Sequence, residues 1–355
     1  MGGDRGAGVL AVGLGLVAIA DARRLVCDTA TVRGLPENAA NHEHRTMTTL
    51  LYTHPACLAH DPGEYHPESP ARLRAVLEAL SAPEFARLQR REAPAAPRDV
   101  IALVHPVALV DRLLAAVPQT GHVGIDADTI MSPGSGEAAL RAAGAVVAAV
   151  DAVVAGEADN AFCAVRPPGH HAEPRRPMGF CLFNSIAIGA LRARETHGIE
   201  RVAVIDFDVH HGNGTQACFW DDAALFYAST HQYPLYPGTG GTRETGAAGN
   251  IVNVPLPPMA GSQQFRAAIS RTIIPALDEF RPGLVLISAG FDAHKSDPLA
   301  QLQLDESDYT WVTEQLLAVA HTHAHGRVVS SLEGGYDLVA LGASAAAHVR
   351  VLMSV

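Results

Sequence analysis

The chain of 355 residues has no surplus of positive charge: 26 lysines and arginines stand against 37 aspartates and glutamates, a formal net charge of −11. Phosphate backbones are gripped by basic faces, so this balance argues against a nucleic-acid partner, while leaving room for a cationic substrate. Paired cysteines are missing too. Cys27, Cys57, Cys163, Cys181 and Cys218 are scattered with no C-x-x-C among them, which disfavours a disulfide frame or a zinc ribbon and suits the reduced thiols of a cytoplasmic protein. After residue 48 no Ser/Gly/Pro-rich linker or charge run divides the chain, and no repeat of 20 to 50 residues shows. One large domain is the expectation for 47–355. Its oligomeric state is left open.

A membrane-spanning run is also lacking. The longest candidate, GVLAVGLGLVAIADA from Gly8 to Ala22, is too short to cross a bilayer comfortably. It ends in small residues as a secretory signal does, which would make the protein secreted or periplasmic. A single arginine makes a poor n-region, however. Residues 1–46 are therefore read as an extension preceding a start at Met47, where MTTLLYTHPACLAH opens as a strand.

From Met47 onward apolar strands and helices alternate. SPARLRAVLEAL has Ser69 placed to cap a helix and Pro70 at its first position. GEAALRAAGAVVAAVDAVVAG, NSIAIGALRARETHG, SQQFRAAISRTIIPALDEF and DYTWVTEQLLAVAHTHAH read as further helices. Between them NAFCAV, RVAVIDFD, ALFYAST, GLVLISAG and RVVSSLEGG are short and apolar throughout, as strands of a parallel sheet covered on both faces are. The fold class is thus α/β with a mostly parallel central sheet. His170–His171, Asp206–His210, Ser229–His231, Asp292–His294 and Glu333–Tyr336 each fall just past an expected strand's carboxyl end. That edge is where open α/β sheets bind ligands.

In VIDFDVHHGNGTQ, strand alternation turns Asp206, Asp208 and His210 to one side, about 6.6 Å apart in succession. Singly, each would be an ordinary turn cap or core histidine. Buried carboxylates are costly unless paired or bound to a cation, and SAGFDAH ends an equally apolar strand with Asp292. Asp208, His210 and Asp292 form the expected ligand set. Its single imidazole and two carboxylates suit Zn²⁺, with Fe²⁺ and Mn²⁺ as alternatives. His170 and His171 in RPPGHHA are then acid/base groups near the metal, and Asp206 and Asn213 are available to orient them. EGGY projects Tyr336 from an exposed turn, where a phenol can donate to an oxyanion.

Together, RPPGHHA, GFCLFNS, DFDVHHGNGTQ, YPGTG, SAGFDAH with DPLA, and LEGGY resemble the zinc-dependent histone deacetylase superfamily, including its bacterial deacetylase-like amidohydrolases. The motifs stand in that superfamily's order from Arg166 to Tyr336, with weaker likeness from about Leu50 to the C-terminus. The resemblance implies an arginase/deacetylase-like fold and hydrolysis of the N-acetyl amide of a lysine side chain or similar amine. It assigns the zinc to Asp208, His210 and Asp292, the general base to His171, electrostatic support to His170 backed by Asp206, and carbonyl polarisation to Tyr336. Asn213 behind His171 is similar to the class II branch. Gly179, Phe180, Tyr236 and Leu299 match the substrate tunnel and its rim. A structural potassium ion would take Asp206, Ser229 and the main-chain carbonyls of Asp208 and His210. Ser185 stands where asparagine is common in the family, an exchange expected to be harmless at a helix start.

The expected partner is an acetylated lysine peptide or acetylated amine. Three alternatives accompany that reading. An acetylpolyamine amidohydrolase would use the same site behind an acidic gate, for which Asp126, Asp128 and Glu173 are candidates. A ureohydrolase would need a second metal with more Asp and His ligands, and the His-His pair speaks against it. A non-catalytic acyl-lysine-binding scaffold would not keep His170, His171 and Tyr336 together.

Overall fold

The computed structural model describes residues 47–354; the expectations about the N-terminal extension, the signal and the start codon lie outside them. Ten strands run in chain order: β1 Thr49–Thr53, β2 Gln89–Glu92, β3 Val123–Gly124, β4 Ile130–Met131, β5 Asn160–Cys163, β6 Val202–Asp206, β7 Leu225–Gln232, β8 Ile251–Leu256, β9 Leu284–Ala289 and β10 Val328–Leu332. Eight of them form one sheet in the order β2-β1-β5-β10-β9-β6-β7-β8, parallel at every pairing. β3 and β4 make a separate antiparallel pair.

The sheet is covered on both faces, and β1 shows how. The Thr49 hydroxyl donates to Leu352 O on the C-terminal helix, whereas Tyr52, of opposite parity in the strand, reaches Ala148 O on the helix Ser135–Val154. The helices Ser135–Val154 and Ser185–His197 pack together on one face. Glu306–His323, Leu338–Leu352 and Pro70–Ala79 form the other layer. With helices on both sides, every residue of β5, β6, β9 and β10 is buried, which is why these strands read as continuous apolar runs. Leu286 lies at the centre of β9 with no exposure. Leu286→Ala is expected to cost about 2–5 kcal/mol, seen as a lower denaturation midpoint.

The two edge strands escape the sequence pattern. β2 is QRRE and mostly exposed, and β8 contains Pro255, which only an edge tolerates. β7 runs further than expected, so Ser229 and His231 lie inside a wholly buried strand rather than past its end. Ser69 stands at the N-cap of Pro70–Ala79 without a side-chain cap bond. Ser185 does open its helix, and Asn184 caps it by accepting from Ala187 N–H. Among the described residues no helix is long and apolar enough to cross a membrane.

The strand order positions everything that follows. The chain places β6 away from β5, and β9 and β10 later fill the gap. The carboxyl ends of β5, β10, β9 and β6 therefore lie side by side, at the point where the winding direction changes.

Candidate active site

From that edge the loops after β5, β6, β9 and β10 bring His170–His171, Asp208–His210, Asp292 and Tyr336 together, with His171, His210 and Tyr336 lining one cavity. β6 stops at Asp206, two residues short of the strand RVAVIDFD expected from sequence, but the alternation continues beyond it. Asp206 Oδ1 accepts from Asp208 N–H at 3.1 Å, and Asp208 Oδ1 from His210 N–H at 2.8 Å. Phe207 turns the other way, into a ring cluster with Phe291 and Tyr309.

One ligand atom from each of Asp208, His210 and Asp292 lies within 4.8 Å of the others, and all three residues are buried. His210 Nδ1 is 3.1 Å from both Asp208 Oδ1 and Asp292 Oδ2. The second oxygens of the carboxylates are held by main chain: Asp208 Oδ2 accepts from Gly334 N–H and Asp292 Oδ1 from Val209 N–H, each at 2.8 Å. Such close approach requires glycine at 334, where a Cβ would run into both carboxylates. Burial, then repulsion from Asp208, push Asp292 up to about 7; burial disfavours a charged His210, yet Asp208 and Asp292 outweigh it and push it to about 10. Acids this close, in so little water, call for a cation between them. The donor set fits a divalent metal.

The two adjacent histidines diverge. Burial disfavours a charged His170, but Asp208, Asp206 and Glu333 outweigh it and hold its pKa well above the usual range. Its Nδ1 is 3.0 Å from Asp206 Oδ2. His171 is held well below the usual range by burial and by cationic His170 and His210. Its Nδ1 faces Asn213 Oδ1 at 2.9 Å. The pair is thus split into one charged and one neutral ring.

A cavity of about 230 Å³ opens over this floor, lined by Asp128, His171, Gly179, Phe180, His210, Leu235, Tyr236, Leu299 and Tyr336. Phe180 and Tyr236 stand as walls, the Tyr236 ring 5.1 Å from His171 and edge-on to it. Gly179 takes φ +58°, and a Cβ there would strike the His171 ring. Of the residues read from the sequence, His171, Gly179, Phe180, His210, Tyr236, Leu299 and Tyr336 line this cavity, while Asp208 and Asp292 flank His210. Ser229 sits beside Asp206 in register on β7, its hydroxyl 2.9 Å from His231 Nδ1.

Of the three acidic gate candidates, only Asp128 lines the cavity. Asp126 is turned into its own loop, accepting from Asp128 and Thr129 N–H. Glu173 is not at the mouth; it lies behind Asn213. His211, which follows the ligand histidine, points elsewhere, to Thr239 and Gln216.

Sequence reasoning placed Glu333 at the ligand-binding edge but missed its role, and missed the other groups that hold the site's loops. Buried Glu333 accepts from Gly169 and His170 N–H at 2.7 and 3.2 Å, pinning the histidine turn. Asp297 Oδ2 accepts from Tyr336 N–H and Oδ1 from Leu299 N–H. Arg72 donates to the carbonyls of Glu333 and Gly335 and lies 4.7 Å over the Tyr336 ring. Glu68 pairs with both Arg72 and Arg166, all three fully buried. Their signal was the Glu-x-x-x-Arg spacing of Glu68 and Arg72, which on an amphipathic helix passes for an exposed ion pair.

A buried triad of metal donors beneath paired histidines, at the carboxyl edge of a parallel sheet, defines a metal-dependent hydrolase. The sequence profile described as Histone deacetylase domain matches residues 66–352, and the chain belongs to that family. A histone deacetylase-like amidohydrolase of Pseudomonas aeruginosa is 42% identical over 275 residues, covering 76% of this chain and 72% of the relative. Histone deacetylase 14, chloroplastic, of Arabidopsis thaliana is 39% identical, covering 86% and 76%; a probable deacetylase of Archaeoglobus fulgidus is 39% identical, covering 82% of each. The crystal structure of the HDA15 HD domain superposes with a TM-score of 0.82 at 34% identity, over 87% of this chain and 88% of that one. The family is metal-dependent and its members are deacetylases and amidohydrolases; this chain is a hydrolase of that kind.

Proposed function

We propose that the protein is a zinc-dependent deacetylase that cleaves the N-acetyl amide of a lysine side chain, or of a similar amine, to acetate and the free amine. The observation that carries this is the convergence of Asp208, His210 and Asp292 beneath the neutral ring of His171, at the floor of an aromatic-walled cavity. These three side chains would hold the ion. Once bound, it supplies Lewis-acid polarisation of the amide carbonyl and a more acidic water.

The chain's own groups do the rest. His171 Nε2, unprotonated and facing the cavity, takes the proton of the attacking water and passes it to the leaving nitrogen. Burial keeps the Tyr336 phenol protonated, against the pull of Arg72 and with help from Asp292 and Asp208, so it remains a donor to the carbonyl oxygen as charge develops there. His170 stays cationic between Asp206 and Asp208 and favours the same build-up of negative charge. Phe180 and Tyr236 keep water away from both contacts. A structural potassium ion at Asp206, Ser229 and the carbonyls of Asp208 and His210 remains part of the reading, supported by the register of β6 against β7. Free thiols at Cys57, Cys163, Cys181 and Cys218 favour a reducing, cytoplasmic setting.

A second reading, an acetylpolyamine amidohydrolase, draws on Asp128, whose carboxylate lines the cavity and would attract a distal ammonium. One zinc-loaded preparation assayed on acetyl-lysine peptides, acetylated polyamines and longer acyl-lysines separates the two. Silence on all three would refute amide hydrolysis. Tyr336→Phe should lower kcat by about 10²–10³ with the metal content unchanged.

A further inference from the structure

The deacetylase reading requires His171 to show the cavity a bare Nε2, so its proton must sit on Nδ1. A primary amide can meet Nδ1 with either end. If Asn213 offers Oδ1, Nδ1–H donates to it and Nε2 is free; if it offers Nδ2, the ring proton moves to Nε2 and the base is spent. His171 and Asn213 alone do not choose between these arrangements. A third group is needed.

The structure supplies it on the far side of the amide. Asn213 Nδ2 lies 2.9 Å from Glu173 Oε1 and 3.4 Å from Met178 Sδ. A carboxylate and a thioether have no proton to give, so they receive the NH₂ end and repel the carbonyl end. Glu173 is itself fixed. It exchanges backbone hydrogen bonds with Arg176, N–H to O at 2.9 and 3.2 Å in the two directions. Its second oxygen is 3.5 Å from Arg176 Nε. The same loop carries His171 two residues earlier, so histidine and carboxylate clasp Asn213 from opposite sides.

We propose that Glu173 is a positioning residue for the general base: through Asn213 it selects the Nδ1–H form of His171. It also sets a negative charge one amide away from the imidazolium formed in turnover. The base role of His171 rests on the deacetylase reading, whereas the choice of ring form does not. Glu173 is one-third exposed, so solvent softens its field, and the expected loss is about tenfold rather than a thousandfold.

The test is a pair of Glu173→Gln exchanges, made in the parent chain and in an Asn213→Asp background, all zinc-loaded. Glutamine has nearly the same shape but can meet either end of an amide, so selection is lost. In the parent, kcat should fall about tenfold with KM unchanged. In the Asn213→Asp background two carboxylates face each other, and the same exchange should raise kcat. A side chain that only braced its loop would lower kcat in both. An effect of equal sign in the two backgrounds, or no change in kcat for the parent, would overturn the proposal.

Ring ¹⁵N shifts of His171, assigned by their loss in His171→Ala, provide a readout independent of turnover. The parent should show a protonated Nδ1 and bare Nε2, and Glu173→Gln a mixture of both forms. A parent with the proton on Nε2, or a variant identical to it, overturns the proposal. Should the parent hydrolyse none of the amides, the deacetylase reading falls, and the ring shifts still decide the role of Glu173.

Discussion

Asp292→Ala is expected to strip the protein of metal and turnover together. Dialysed protein should fall from about one equivalent of zinc to about a tenth or less by elemental analysis, because Asp208 and His210 alone leave the ion short of a third protein ligand. Asp292→Asn is the more discriminating variant, since it can keep the bond from Val209 N–H and loses only the charge. Both exchanges also remove a carboxyl that burial, and then repulsion from Asp208, push up to about 7. Metal-free Asp292→Asn should therefore melt no lower than the metal-free parent, whereas Asp292→Ala also strips the buried Val209 N–H of its acceptor and should melt lower. A full equivalent of zinc retained by either variant would show the ligand assignment to be wrong.

His171→Ala should leave the metal in place and lower kcat by about 10²–10⁴, the range expected when a positioned base is removed. The contrast with its neighbour is the sharper test. His170 is held charged by Asp208, Asp206 and Glu333 and cannot take a proton, so His170→Ala should act through charge and cost less. If the two alanine variants were equally impaired, and both with raised KM, the division of roles between the rings would fail. Metal content measured on the same samples separates loss of the base from collapse of the pocket.

The candidate metal donors were legible because a period of two is hard to disguise: Asp206 and Asp208 each accept from the N–H two residues on, so the alternation runs to His210 even where the strand has ended. Asp292 was legible from the apolar strand before it. The grouping of β5, β10, β9 and β6 was less so, since strand order depends on crossovers that leave no local pattern. Edge strands were hidden for a related reason. β2 and β8 lack a second buried face, so neither alternation nor an apolar run marks them. Glu173 illustrates a different limit. Its class as an acidic residue near the site was readable, but whether it lay at the mouth or behind the base depended on the loop from Ala172 to Met178 folding back on itself. The buried Glu68, Arg72 and Arg166 look like surface charges until the whole fold encloses them.

Strand order has a consequence for biosynthesis. Among the described residues β9 and β10 are the last two strands in chain order, yet they occupy the middle of the sheet. Until β10 has been made, β5 is not joined to β9 and β6, and Asp208 and His210 lack first Asp292 and then the Tyr336 phenol. A nascent chain therefore has an incomplete donor set, and it exposes unpaired strand edges until β9 and β10 fill the gap. The pocket is complete only once Tyr336, on the loop after β10, has joined it.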